Sequence, residues 1–159
     1  MKKIILTLII ALFTKKVYCD DFGFIYKWGN VHTYNSFTKT YIRKTCTDKK
    51  IYSVALKLSE SELSSIKNQF YDSNFFNSTS NTFEKYTNNE TVEVTLPCAT
   101  KTYFAQIDDK LNYLVFKCIK PIKISSNEEG LLELGRNIER IISSNKNYIE
   151  APHSSCIFE

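Results

Sequence analysis

Two helix-start signals limit most strongly what this chain can fold into, because each of them follows strand-like sequence. They are Ser-Glu-Ser-Glu at 59–62 and Ser-Asn-Glu-Glu at 126–129. In a capping box of this kind the serine side chain accepts a hydrogen bond from the amide three residues later, and the final glutamate side chain accepts one from the serine amide. The two boxes therefore predict helices over about 60–72 and about 127–144.

Apolar spacing supports both helices and indicates strands around them. Apolar residues recur at helical spacing in each segment: Leu63, Ile66 and Phe70 in the first, and Leu131, Leu134, Ile138 and Ile141 in the second. Alternation with a period of two predicts a half-buried strand at 51–58. Further extended segments are predicted at 22–28, 31–45, 91–96, 102–108 and 111–119, and a long polar loop at 77–89.

The order of these elements predicts the fold class. Helices that carry one apolar stripe must bury it against another layer. We therefore expect an α+β two-layer domain, in which an antiparallel sheet of about five to six strands carries two helices on one face. A chain of 159 residues fits one domain of common size, and no repeat or linker divides 20–159.

The first 19 residues have the pattern of an export signal. Two lysines precede an apolar run at 4–13, which is too short for a membrane-spanning helix. The pattern predicts a signal peptide over 1–19 that is cleaved before Asp20, and a periplasmic or secreted protein. Two alternatives are a lipid anchor on Cys19 and a leader that is not cleaved.

The basic character of the chain comes from this leader. The whole chain has a formal charge of +4, and four of its 21 basic residues lie in 1–19, where there is no acid. That leaves 17 basic residues against 17 acidic residues. Without a dense basic patch, the charge footprint of nucleic-acid binding is missing. We therefore expect no nucleic-acid partner, and a membrane partner only through Cys19 or an uncleaved leader.

The cysteines after the leader suggest disulfides. There are four of them, an even number, as is common in small exported domains: Cys46, Cys98, Cys118 and Cys156. Their spacing fits no zinc knuckle. Three pairings are possible. A predicted hairpin between Cys98 and Cys118 favours joining those two, which would leave Cys46 with Cys156.

Four aromatic residues alternate in one short segment: Phe22, Phe24, Tyr26 and Trp28. In a strand they would project from one face. Exposed, they would form a binding platform for sugar or protein; buried, they would form core, and a small domain needs such burial.

Residues with catalytic potential lack the expected partners in sequence. His32 and His153 have no evident nucleophile motif around them, and Gly-x-Ser-x-Gly is absent. The acid pair at 108–109 fits a hairpin turn, and that at 128–129 fits a helix start, where the dipole favours acids. The sequence therefore indicates no catalytic site, metal site or cofactor, and it leaves enzyme activity open.

Several stretches resemble small uncharacterised exported or lipid-anchored domains of bacteria. The resemblance lies in the Leu-Ser-x-x-Glu-Leu start of the first helix at 58–63, Phe-Phe at 75–76, the strand at 102–107, and the end of the second helix leading to Pro152. It covers the later two-thirds of the chain after the leader. It implies no catalytic residues, and the cysteines are not part of it.

These observations favour an exported, non-enzymatic protein of the cell envelope that binds another molecule. The expected partner is an envelope or extracellular protein, or a glycan. Two alternatives are a periplasmic inhibitor or immunity-type protein, which would need an acidic or aromatic surface patch, and a small secreted hydrolase, which would need His32 beside an acid and a hydroxyl.

Overall fold

The structure is a computed structural model that describes residues 21–29, 31–78, 82–83, 100–116, 126–154 and 156. The strands are β1 (Gly23–Trp28), β2 (His32–Asn35), β3 (Thr40–Lys44), β4 (Ile51–Ala55), β5 (Thr82–Phe83), β6 (Lys101–Ile107) and β7 (Lys110–Phe116). The helices are α1 (Glu60–Asp72), α2 (Ser126–Ser143) and α3 (Lys146–Ile149), with a 3₁₀ turn at Phe75–Asn77.

The strands form one sheet in the order β4-β3-β2-β1-β6-β7-β5. All neighbours are antiparallel except β5, which runs parallel to β7. The predicted α+β class with an antiparallel sheet under helices is confirmed. The two-residue strand β5 lies in the segment predicted as loop, because its pairing with β7 uses backbone groups and needs no side-chain pattern.

Helix α1 begins where its capping box predicts. The Ser59 side chain accepts a hydrogen bond from the Glu62 amide, and a Glu62 carboxylate oxygen lies 2.7 Å from the Ser59 amide nitrogen, which donates to it. The predicted bounds of α2 agree within one residue at each end. The side-chain bonds of the second box lie outside the described residues.

The extended segment predicted at 31–45 is divided by a turn into β2 and β3. The side-chain oxygen of Asn35 accepts hydrogen bonds from the amides of Phe37 (2.9 Å) and Thr38 (3.2 Å). Lys39 then takes a left-handed φ of 53°. Such an Asx turn needs neither glycine nor proline, so the usual turn signals are absent from this stretch.

The core lies between one face of the sheet and helices α1 and α2. Aromatic side chains dominate the sheet side, and aliphatic ones dominate the helix side. The members that are 0% exposed are Phe24, Tyr26, Tyr41, Leu56, Ile66, Phe70, Phe75, Tyr103, Ala105, Leu114, Leu131, Leu134, Ile138 and Ile142. Each buried side chain of this size contributes about 1.5–3 kcal/mol of hydrophobic stabilisation.

Two tyrosine hydroxyls in this core are bonded to α2. Tyr103 donates to the Leu131 carbonyl oxygen at 2.8 Å, and Tyr26 donates to a Glu139 carboxylate oxygen at 2.5 Å. Gly135 permits this approach, because a Cβ there would lie 2.5 Å from the Tyr103 hydroxyl. Burial raises the pKa of both tyrosines, so both stay protonated donors.

Within the described ranges, no helix is both long and apolar enough to cross a membrane. The signal peptide predicted over 1–19, with Cys19, falls outside those ranges, as does the strand predicted at 91–96.

Candidate ligand-binding groove

The aromatic residues predicted as platform or core lie mostly in the core. Phe24 and Tyr26 are fully buried and Trp28 is nearly so. The Trp28 ring stacks on Tyr26 and on His32, with ring centroids 5.3 and 4.8 Å apart. A surface platform on β1 is therefore wrong, because helices cover this face. Phe22, just before β1, is the member that stays half exposed.

His32 lies inside the molecule beside a hydroxyl and a cation. Its side chain is 4% exposed, and its Nδ1 is 2.7 Å from the Tyr41 hydroxyl oxygen. Burial, with help from the Arg43 charge and opposed by Glu139, lowers the pKa of His32 to about 4. His32 is therefore neutral at pH 7, and its polar contact stabilises the fold.

Arg43 connects this cluster to the C-terminal tail. Its Nε donates to the Tyr41 hydroxyl at 2.8 Å, and its Nη1 donates to the carbonyl oxygens of Ala151 and Pro152, at 2.9 Å each. Its guanidinium carbon lies 4.3 Å from the Tyr148 ring centroid. Its Nε and Nη1 therefore both donate to protein groups, and we define His32, Tyr41, Arg43 and Tyr148 as the tail anchor.

A disulfide between Cys46 and Cys156 holds the tail next to this anchor. The Cys46 amide also donates to the Ser154 carbonyl oxygen at 2.8 Å. The sequence predicts this pairing for the case in which Cys98 bonds to Cys118. Cys98 and Cys118 themselves lie outside the described residues.

The other candidate residues are not gathered into a catalytic arrangement. His153, Asp108, Asp109 and Glu129 are all exposed, and Asp108 begins the β6–β7 turn with φ 48°. The Ser154 hydroxyl is buried and has no hydrogen-bond partner among the described residues. In the same ranges, no group of three His, Cys, Asp or Glu side chains could hold a metal.

A groove of about 830 Å³ lies between helix α1 and the β2–β3 loop. It is lined by Phe22, Tyr34, Ser36, Lys39, Lys57, Leu58, Ser59, Glu60, Leu63, Ser64 and Lys67. We call this the lysine-rimmed groove. The helix contributes positions 60, 63, 64 and 67, which share one helix face at the spacing i, i+3, i+4, i+7.

The floor of the groove is apolar and firmly packed. Phe22 lies 5.8 Å from Phe24 and 5.9 Å from Phe70 between ring centroids, and Leu58 belongs to the core. The Tyr34 hydroxyl donates to the Leu56 carbonyl oxygen at 3.2 Å. Burial raises the pKa of Tyr34 to about 12, so it is a neutral part of the floor.

The rim carries lysines brought together by the sheet. The Leu56 amide donates to the Lys39 carbonyl oxygen at 2.8 Å, which continues the β3–β4 ladder and sets Lys39 near Lys57. The side-chain oxygen of Ser36 accepts a hydrogen bond from the Phe24 amide at 2.7 Å, and Ser59 is engaged in the α1 cap. The rim therefore offers a ligand mainly ammonium groups.

None of these lining residues was predicted as a site except Phe22. The lysines are spread over 39–67 and match no motif, and the ladder that unites two of them is a tertiary feature. The helical spacing of Glu60, Leu63, Ser64 and Lys67 was the available signal, because it marks a helix flank that is neither fully apolar nor fully polar.

Comparison of the chain with models of known protein families gives no match. Comparison with curated protein sequences gives none either. The groove, the tail anchor and the disulfide therefore carry the functional argument by themselves.

Proposed function

We propose that this chain is an exported, non-enzymatic binding protein whose ligand occupies the lysine-rimmed groove. The groove carries this proposal, because its volume of about 830 Å³ falls in the usual range of ligand sites, about 300–1,000 Å³. Such sites combine an apolar lining with a few polar groups that fix orientation. Here Phe22 and Leu63 supply the apolar lining, and the lysines supply the polar groups.

Export is supported by the leader pattern and by the disulfide. The apolar run at 4–13 follows two lysines, as in signal peptides. The Cys46–Cys156 bond is of a kind that persists in oxidising compartments and is rare in the cytosol. The proposed location is periplasmic or secreted, and the resemblance to exported bacterial domains agrees with it.

A second function is favoured by the sheet face opposite the helices. Phe37, Leu111 and Tyr113 are about half exposed there, at 47%, 58% and 45%. Phe104 and Tyr113 are directly opposed in the β6–β7 register, and Phe37 lies against Phe104 with ring centroids 6.2 Å apart. An aromatic patch of this kind suits protein contact, as an inhibitor or immunity-type protein would need.

The two functions are tested with a matched pair of helix variants. The full chain is expressed with its leader, and the exported form is screened by thermal shift against small anionic, neutral and cationic organic molecules. Ser64→Trp fills the groove, whereas Ser65→Trp places the same ring at the next exposed position, which does not line it. Stabilisation that Ser64→Trp abolishes and Ser65→Trp retains supports the groove.

The opposite result would favour the sheet face. If Ser64→Trp changes no ligand response, while Tyr113→Ala removes binding to a purified protein partner, the groove is not the site. A Thr102→Ala variant, on the same outer face away from the exposed rings, is the control for general effects on that face.

A further inference from the structure

The charges around the lysine-rimmed groove are unequal. Among the described residues that line it, Lys39 and Lys57 are exposed cations, Lys67 is a half-buried one, and Glu60 is the one acid. This contrasts with the chain after the leader, which has 17 basic and 17 acidic residues. A local excess of positive charge in a concave site attracts anions, because the surrounding protein focuses the field.

The start of helix α1 is partly closed by its own capping box. Two of its amides, those of Ser59 and Glu62, are already bonded within the capping box, and the Glu62 carboxylate adds negative charge there. The exposed ammonium groups of Lys39 and Lys57 are the cations that line the groove for an anion. Lysines act as mobile point charges, which favours a charged group without demanding one fixed geometry.

Beside the lysines lies apolar surface that remains accessible. Phe22 and Leu63 are half buried, and both pack against the core beneath them. The alkyl stems of lysines extend such a surface while their ammonium groups stay in water. The groove therefore presents an apolar patch and a cationic edge to the same occupant.

We propose that the ligand of the groove is a small organic anion, with an apolar ring or chain that covers Phe22 and Leu63 and one acidic group held by the lysines. This inference rests on the proposed function, that the groove is a binding site, and it adds the chemical class of the ligand. A carboxylate, sulfonate or phosphate would satisfy the lysines equally, since each offers an anionic oxygen.

Two fluorescent probes that differ by one acidic group test the proposal. 8-Anilinonaphthalene-1-sulfonate has an apolar ring system and a sulfonate, and N-phenyl-1-naphthylamine has the same rings without the charge. Both are titrated into the folded exported protein. We expect the sulfonate to bind at least about tenfold more tightly, and this advantage to shrink when salt is raised to about 0.5 M, because salt screens exposed charges.

Charge variants assign the effect to the groove. Lys39→Gln combined with Lys57→Gln, both at exposed lysines of the lining, should weaken the sulfonate probe about three- to tenfold, since exposed ion pairs each contribute little. Lys49→Gln combined with Lys110→Gln, at exposed positions outside the groove, should leave affinity within twofold. Glu60→Gln should tighten binding about twofold, because it removes the one acid among the described lining residues.

The outcomes separate the ligand class from the binding function. If both probes bind equally, and Ser64→Trp removes both while Ser65→Trp removes neither, the groove binds but the preference for anions is wrong. If neither probe binds, or Ser64→Trp changes neither, both the groove function and its ligand class are overturned. If the groove pair and the control pair of lysine substitutions weaken the sulfonate probe equally, the probe binds through the general charge of the surface, and the proposal fails.

Discussion

The tail anchor and the lysine-rimmed groove both join basic side chains to aromatic rings on the same sheet, yet they are built in opposite ways. In the anchor, Arg43 is 4% exposed and its bonds go to Tyr41, Ala151 and Pro152. In the groove, Lys57 is exposed at the edge of an open volume of about 830 Å³.

This difference separates structural from functional polar groups. A buried charge is costly unless protein groups satisfy its bonds, so a satisfied guanidinium such as that of Arg43 has little capacity left for a ligand. Exposed ammonium groups over apolar surface keep their capacity. We therefore expect substitutions in the anchor to alter stability and substitutions in the groove to alter binding.

The largest loss of stability is expected from removing the disulfide of the tail. Cys46→Ser with Cys156→Ser should lower the free energy of unfolding by about 4–5 kcal/mol, because the bond closes a loop of 110 residues in the unfolded chain. Denaturant unfolding measures this loss. In the variant that remains folded, probe affinity in the groove should stay within twofold, and a loss of stability below 1 kcal/mol would contradict the assignment.

Arg43→Met should have the next largest effect. It leaves the Ala151 and Pro152 carbonyls and the Tyr41 hydroxyl without their buried donor, so the free energy of unfolding should fall by about 3 kcal/mol. Arg136→Met is the control, because Arg136 is exposed and pairs with Glu133 on the same helix. It should cost under 1 kcal/mol. Equal losses in the two variants would remove the distinction between anchor and surface.

The buried His32 of the anchor should make the stability of the fold depend on pH. Its pKa is lowered to about 4, from an ordinary value near 6.5 in the unfolded chain. The unfolded state therefore binds the proton more readily below pH 6.5, and stability is present above that pH and lost as pH falls towards 4. Because of this residue, the free energy of unfolding should be about 2 kcal/mol lower at pH 5 than at pH 8.

His32→Gln tests the origin of this slope. The variant removes the titrating ring, so its stability should change less between pH 8 and pH 5 than that of the parent chain. His153→Gln is the matched control, because His153 is exposed in the tail. If His153→Gln flattens the slope as much as His32→Gln does, burial of His32 is not its cause.

Local signals were readable from the sequence, and tertiary ones mostly were not. The start of α1 follows from the capping box at 59–62, since its partners lie within one helical turn. The turn after Asn35 was missed, because an Asx turn there replaces the usual glycine or proline. Cys46–Cys156 could be named only as one of three pairings, because no pattern states which strands and tails meet.

The groove shows the same limit more sharply. Lys39 and Lys57 meet through the continued ladder between the Leu56 amide and the Lys39 carbonyl, and Lys67 comes from a helix that packs beside them. Lysines spread over positions 39–67 of a chain that is formally neutral after residue 19 carry no sequence signal of their own. Phe22 was predicted as one of four residues of a strand platform, and the structure buries the other three in the core while Phe22 lines the groove.

The smallest effect on stability is expected from the groove lysines, and it is the sharpest test of the separation. Lys39→Gln with Lys57→Gln should change the free energy of unfolding by no more than about 0.5 kcal/mol, as exposed surface substitutions usually do. The same double variant should weaken the sulfonate probe several-fold, whereas Arg43→Met should leave probe affinity within twofold while the protein is folded. Denaturant curves give the free energy of unfolding of each variant, and probe titrations give its affinity for the sulfonate probe. A lysine variant that loses stability like Arg43→Met would show that the rim is structural, because its ammonium groups would then be held by the protein and would not be available to a ligand.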